Sequence, residues 1–265
     1  MNKSILVNGT FRSGSGAIKD YLSSRIDISS PFGDNEFRIV SDPMGLNSLH
    51  SFCYSNPGIL NPSYGIEQFK NYVNKLQKYK VYISEGKRGE LYNINLINLT
   101  NKFIKNITKI NYYATPHYSR VNFSFKNKIK YSLGLKLKKK NQEMKIANII
   151  IPKNEKQFIK YSKNYIKDII KYASFKKTKS KTIVLDNAVD AINPIVSSKY
   201  FVNPKIIIVT RDPRDIFSSM KISKAAAAPN YDVKLFVSWY KNYFCSPRFR
   251  NILGNRKVLN VKFEK

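Results

Sequence analysis

Apolar residues follow two rhythms along the chain. Short apolar runs stand at Ser4–Asn8 (SILVN), Thr182–Asp186 (TIVLD), Lys205–Thr210 (KIIIVT) and Lys257–Lys262 (KVLNVK). Each is of strand length, and TIVLD and KIIIVT are β-branched runs without alternation, as expected of parallel strands buried on both faces. Phe37–Val40 is a candidate for one more strand, with Asp42–Gly45 as a turn behind it. Helical spacing marks Ala17–Arg25, with Ala17, Ile18, Tyr21 and Leu22 on one face. It also marks Ile66–Tyr79, through Ile66, Phe69, Val73, Leu76 and Tyr79, and Glu155–Ser174, through Phe158, Tyr161, Tyr165, Ile169 and Tyr172. Leu91–Ile107, Pro213–Lys221 and Asp232–Phe244 are further helix candidates, the first weakened by its Asn content. Strands alternating with helices predict an α/β fold with a mostly parallel central sheet flanked by helices.

The first strand runs into a turn of small residues, Gly9–Gly16 (GTFRSGSG), and then into a helix. Such a loop exposes consecutive backbone N–H groups, and the helix N-terminus adds partial positive charge, so the unit suits a phosphate or sulfate. Gly14 and Gly16 permit close backbone approach, Ser13 and Ser15 carry hydroxyl donors, and Arg12 supplies a forked cation. The nucleotide-triphosphatase pattern G-x-x-x-x-G-K-[ST] fits Gly9 and Gly14 but fails at Ser15, where the phosphate-reaching Lys belongs. The dinucleotide pattern G-x-G-x-x-G fails too, with Lys19 in the last position.

A second motif, KIIIVTRDPRDIFSS, spans Lys205–Ser219. A buried strand ends in Arg211, and Pro213 suits the first turn of a helix. Arg211 and Ser219 stand eight apart, so strand end and helix can point both at one anion. The plainer alternative is a capped helix in which Asp212 and Asp215 neutralise Arg211 and Arg214.

Charge agrees with an anionic ligand without naming one. The 265 residues carry 47 Lys and Arg against 17 Asp and Glu, a net charge of +30. Such a balance speeds association with polyanions and anionic membranes. Lys, Asn, Ile and Tyr are all abundant, however, as in an AT-rich genome, and much of the charge then lies on solvated faces. Lys126–Lys145 is the most basic stretch. The only cysteines, Cys53 and Cys245, form no disulfide or zinc framework, and the two histidines, His50 and His117, exclude a multi-histidine metal site. MNKSILVNGT lacks a signal-peptide core, and no run approaches the roughly 18 apolar residues of a membrane span, so a cytoplasmic location, or one on the inner membrane face, is expected.

Taken together, the two motifs resemble the sulfotransferases that use 3′-phosphoadenosine 5′-phosphosulfate (PAPS). Phe11-Arg12-Ser13-Gly14-Ser15-Gly16 looks like their 5′-phosphosulfate loop, closest to the carbohydrate sulfotransferases. Arg211 through Ser219 matches their 3′-phosphate motif, and Val237–Tyr240 and Val258–Glu264 resemble bacterial members. These motifs cover about a tenth of the chain, and about Ile59–Lys181 matches nothing. Family members usually continue past the Phe263-Glu264 dipeptide with further helices and a basic loop over the cofactor.

The resemblance implies a P-loop-type three-layer fold and a single domain over residues 1–265, with a variable, basic, helix-rich acceptor-side insertion at about 59–181. It implies PAPS as donor, adenosine 3′,5′-bisphosphate as product and no metal. Arg12 would stabilise charge on the bridging and leaving oxygens. Arg12, Ser13, Gly14, Ser15, Gly16 and Ala17 would hold the 5′ end, and Arg211 and Ser219 the 3′-phosphate. Glu36 stands where the heparan-type enzymes carry their base, with Asp42 and His50 as rivals and Glu85 a further candidate. The implied acceptor is a glycan or glycolipid, a cell-surface polysaccharide or its precursor, with peripheral membrane contact and no specific nucleic acid. Two alternatives stay open: a P-loop kinase or other nucleotide-binding protein, and a non-enzymatic polyanion binder.

Overall fold

A computed structural model of the chain describes residues 3–264 except 34, 57, 80–94, 115–128, 130–132, 134–146, 174–179 and 224–227. Its centre is a five-stranded, wholly parallel sheet in the order β2–β5–β1–β6–β7. The strands are β1 (Lys3–Gly9), β2 (Ile28–Ser29), β5 (Thr182–Asp186), β6 (Pro204–Arg211) and β7 (Val258–Phe263). Successive residues of each central strand enter different cores. Leu6, Ile183, Leu185, Ile206 and Ile208 face one layer of helices. Val7, Val184, Ile207 and Val209 face the other, against Ile18 and Leu22 of α1 (Ser15–Ser23). Two buried faces leave no polar positions to alternate with, which accounts for the unbroken apolar runs. Helices on both faces of the sheet make a three-layer α/β fold.

The larger core joins the sheet to α3 (Asn61–Tyr79), α4 (Leu96–Ile107) and α5 (Glu155–Ala173). Phe69, Phe103 and Tyr165 meet at their centre, Phe103 and Tyr165 stacked with centroids 4.8 Å apart. α3 and α5 lie where apolar spacing predicts them, and α4 falls within the Leu91–Ile107 candidate. The same central segment also holds an antiparallel ribbon that the sequence did not announce, β3 (Thr108–Ala114) with β4 (Ala147–Pro152). The basic stretch 126–145 lies outside the described residues except for Ile129 and Leu133, as do Glu85, His117 and Ala225 to Ala227.

Helix starts follow capping chemistry. Asn95 caps α4 by accepting from the Asn98 N–H, and Asn154 accepts from the Gln157 N–H at the start of α5. α7 (Pro213–Ser223) packs on α8 (Val233–Phe244), which Asp232 caps and whose Phe244 enters the larger core. Ser246 caps α9 (Pro247–Leu253), with Pro247 at its first position. Two further helices are short, α2 (Leu46–His50), which runs on into a π-helical turn at Ser51–Ser55, and α6 (Pro194–Ser198).

Phe37–Val40 is not a strand. Phe37, Ile39 and Val40 are buried, but the backbone is spent elsewhere: Phe37 N–H donates to the Asp186 carbonyl, and the Ile39 and Val40 carbonyls accept from Leu46 and Asn47 at the head of α2. The edge strand is instead the two-residue β2. On α1 the apolar face is narrower than expected. Ile18 and Leu22 turn inward, Tyr21 is exposed, and the buried residue is Lys19.

Because every strand of the sheet runs the same way, Gly9, Asp186, Arg211 and Phe263 end on one edge. The chain order reverses around β1, so a crevice opens at its carboxyl end, the usual ligand position in an open α/β sheet.

Candidate functional site

The loop after β1 is held in a demanding conformation. Phe11 and Arg12 are both left-handed, at φ 48° and 42°, without glycine's freedom. Gly14 has φ 92°, and a Cβ there would lie 2.7 Å from the Phe263 ring, so both backbone angle and space require glycine. At Gly16 an added Cβ would meet nothing within 4 Å. The space before the α1 N-terminus is therefore open, and α1 begins with neither a side-chain cap nor an acidic first turn. Its first N–H groups thus keep their positive partial charge for a ligand.

Arg12 and Arg211 converge on this space. Arg211 Nη1 donates to the Arg12 carbonyl at 3.3 Å, tying the end of β6 to the loop after β1. The Arg211 side chain is only 15 % exposed, and its guanidinium lies 5.5 Å from the Phe263 ring centroid. The local pairing that the sequence allowed is present: Asp212 pairs with Arg214 and Asp215 with Arg211. Asp212 binds Arg214 through Nε, Nη2 and the backbone N–H, which pulls the Asp212 carboxyl down to about 2. Asp215 forms an ion pair with Arg211 at 3.6 Å from Nε, longer than a hydrogen bond, so that buried Nε still has no hydrogen-bond partner among the described residues. No carboxylate among the described residues pairs with Arg12.

Both arginines line one cavity of about 910 Å³, together with Gly14, Ser15, Gly16 and Ala17. One wall is aromatic: Phe11 meets Trp239 edge-on at 5.4 Å, and Tyr243 and Phe244 flank that ring. Two predicted contacts stand apart from this wall. Ser13 is buried beneath the loop, its hydroxyl without a hydrogen-bond partner among the described residues, and it does not line the cavity. Ser219 is half-buried on α7 and is also outside the lining.

The base candidates separate cleanly. Glu36 lines the cavity, with Oε1 accepting from Asn187 Nδ2 at 2.8 Å and Oε2 from Arg38 Nη1 at 3.1 Å. Asp42 is buried away from it, accepting from Arg38 Nε and from the Tyr72 hydroxyl, each at 2.9 Å. Burial, reinforced by the charge of Asp42, drives the Tyr72 phenol far above its ordinary value. His50 is also buried outside the cavity, among the rings of Tyr54, Phe158 and Tyr200. Its Nε2 stands 2.8 Å from Glu155 Oε1 and 3.0 Å from Lys199 Nζ, and burial lowers its affinity for a proton. A buried His braced by Glu155 and Lys199 belongs to the core.

The sequence reading passed over Asp186 and Asn187, which reach the cavity from the end of β5. Burial, followed by the charge of Glu36, holds the Asp186 carboxyl up at about 6, against the opposing charge of Lys19. Asn187 is left-handed at φ 51°. The signal was present: TIVLD ends in an acid at the carboxyl end of a buried parallel strand, where ligands gather in this architecture. No protein-family model matches the chain, and no curated protein matches it.

Proposed function

We propose that this protein is a sulfotransferase that carries a sulfuryl group from PAPS to a hydroxyl of a carbohydrate acceptor. The observation that carries the reading is the convergence of Arg12, Arg211 and the uncapped α1 N-terminus on one cavity. These are two cationic centres, one in the loop after β1 and one at the end of β6, suited to the two phosphate ends of one adenosine. The Gly14–Ala17 backbone holds the 5′-phosphate and Arg211 the 3′-phosphate, while Phe11 and Trp239 offer faces for the base. Arg12 stabilises charge growing on the bridging oxygen as the sulfur–oxygen bond breaks. By analogy with phosphoryl transfer, positioning and electrostatics supply most of the rate. Among the described residues no helix is long and apolar enough to cross a membrane. Work on a glycan or glycolipid precursor in the cytoplasm, at the inner membrane face, completes the proposal.

One observation favours a second reading, a nucleotide kinase. Asp186 ends the strand beside β1, where P-loop NTPases carry their magnesium-binding Asp. Ser15 in place of the phosphate-reaching Lys weighs against it. Thermal unfolding separates the readings. A ligand at a hundredfold excess over its Kd adds about 2.7 kcal/mol, or roughly 5–10 °C for a chain of this size. Adenosine 3′,5′-bisphosphate is expected to give that shift and MgATP much less. The reverse order supports the kinase, and a shift with heparin alone supports a polyanion binder.

A further inference from the structure

Opposite the cationic end, the same cavity has an end of the other sign. Asp186 closes β5, Asn187 and Asp190 follow it, and Glu36 reaches in from the loop before α2; all four line the cavity. Lys19 binds Asp20 at 2.6 Å, and Arg38, which also lines the cavity, bridges Asp42 at 2.9 Å and Glu36 at 3.1 Å. Three carboxylates thus face this end against one arginine. Glu36 is held by two donors, and Asp190 accepts from the Ile192 N–H at 2.8 Å. Asp186 differs from both, because its Oδ1 is buried with no hydrogen-bond partner among the described residues. The charged groups facing it are Glu36 from the loop and Lys19 and Asp20 from α1.

We propose that this end is the acceptor subsite: it takes an uncharged or aminated polyol, and Asp186 accepts the proton of the reacting hydroxyl. The inference rests on the sulfuryl-transfer reading above. As the acceptor oxygen bonds to sulfur, the bond from sulfur to the 5′-phosphate oxygen breaks, and its electron pair leaves with adenosine 3′,5′-bisphosphate. The hydroxyl proton passes to the Asp186 carboxylate. Glu36 is the poorer acceptor of that proton, since two side-chain donors already stabilise its charge, whereas on Asp186 only the Asn187 backbone N–H does so and the buried Oδ1 is unbonded among the described residues. The raised affinity of Asp186 for a proton brings it toward the operating pH, as a general base requires. Hydroxyl and ammonium groups find acceptors in Glu36, Asp190 and the Asn187 amide. A carboxylated or sulfated sugar meets three like charges against a single arginine that Glu36 and Asp42 already hold, an arrangement that suppresses binding.

Water is the simplest acceptor, so release of sulfate from PAPS in water tests the proton step whatever the natural acceptor. The wild type should show a rate that falls on the acid side of about pH 6. Asp186→Asn should lose about 100-fold or more together with that acid limb, while Glu36→Gln keeps a limb moved to lower pH, because the charge of Glu36 helps raise Asp186. Affinity for adenosine 3′,5′-bisphosphate should be unchanged in both. A wild-type rate no higher than that of Asp186→Asn, or an acid limb lost in Glu36→Gln instead, overturns the assignment. For the acceptor class, saturation-transfer NMR with bound bisphosphate should detect methyl glucoside and methyl glucosaminide, with methyl glucuronide at least about tenfold weaker. Equal behaviour of glucuronide and glucoside, including binding by neither, overturns it. Failure to bind the bisphosphate at all removes the donor reading and this inference together. Normal bisphosphate binding with an unaltered Asp186→Asn profile removes this inference alone.

Discussion

Replacing Arg211 with Ala removes one of the two cationic centres and leaves the other in place. The size of the effect depends on how the guanidinium is committed. Nη1 already donates to the Arg12 carbonyl, Asp215 forms an ion pair at 3.6 Å without a hydrogen bond, and Phe263 supports one face. The rest of the fork is available to a phosphate in a setting only 15 % exposed. A hydrogen bond to a charged group contributes about 1.5–3 kcal/mol, so losing the contact should weaken adenosine 3′,5′-bisphosphate by roughly 10- to 150-fold. AMP lacks the 3′-phosphate, so its affinity should fall by only a small part of that factor, through loosening of the Arg12 loop. Arg211→Lys keeps the charge but not the fork and should fall between wild type and Arg211→Ala. Calorimetric titration of both nucleotides against the three proteins measures all of this. Equal losses for AMP and the bisphosphate would refute the assignment of Arg211 to the 3′ end.

Gly14→Ala places a Cβ at φ 92° and 2.7 Å from the Phe263 ring. The left-handed strain alone costs about 1–2 kcal/mol, and denaturant unfolding should show at least that loss. His50→Ala should lower stability by about 2–5 kcal/mol, as for other large-to-small changes in a core, and leave bisphosphate affinity unchanged; a loss of affinity would return His50 to the site. Asp186 binds its proton more tightly folded than unfolded, so its contribution to stability falls as pH rises from about 4 to 6. Asp186→Asn should therefore gain stability over wild type above pH 6, and the gain should vanish near pH 4 in thermal melts across that range.

The sheet was legible because burial on both faces leaves a plain mark. Leu6 and Val7 enter opposite cores, so SILVN has no polar beat, and TIVLD and KIIIVT behave alike. The same reasoning failed at Phe37–Val40, where apolar residues plug a core while their carbonyls cap α2. Burial and strand pairing write the same letters in a short run. The β3–β4 ribbon was missed for the opposite reason: Lys109 to Tyr113 are exposed on both sides and carry no periodicity. At the site, the loop glycines and Arg211 could be found because backbone demands and strand ends constrain residue type. Asp42 and His50 were ambiguous, since a polar residue looks the same whether it faces a cavity or a partner. Only the positions of Tyr72, Glu155 and Lys199 separate the two cases.

A chain of net charge +30 attracts any polyanion, so the decisive comparison holds charge constant. Adenosine 3′,5′-bisphosphate and adenosine 2′,5′-bisphosphate differ only in where one phosphate sits. Two cationic centres fixed by β1 and β6 should distinguish them, the 3′ isomer binding at least about tenfold more tightly, a difference of about 1.4 kcal/mol. Equal affinity in the same titration, falling together as salt is raised, would mean that diffuse charge rather than a built site holds the nucleotide.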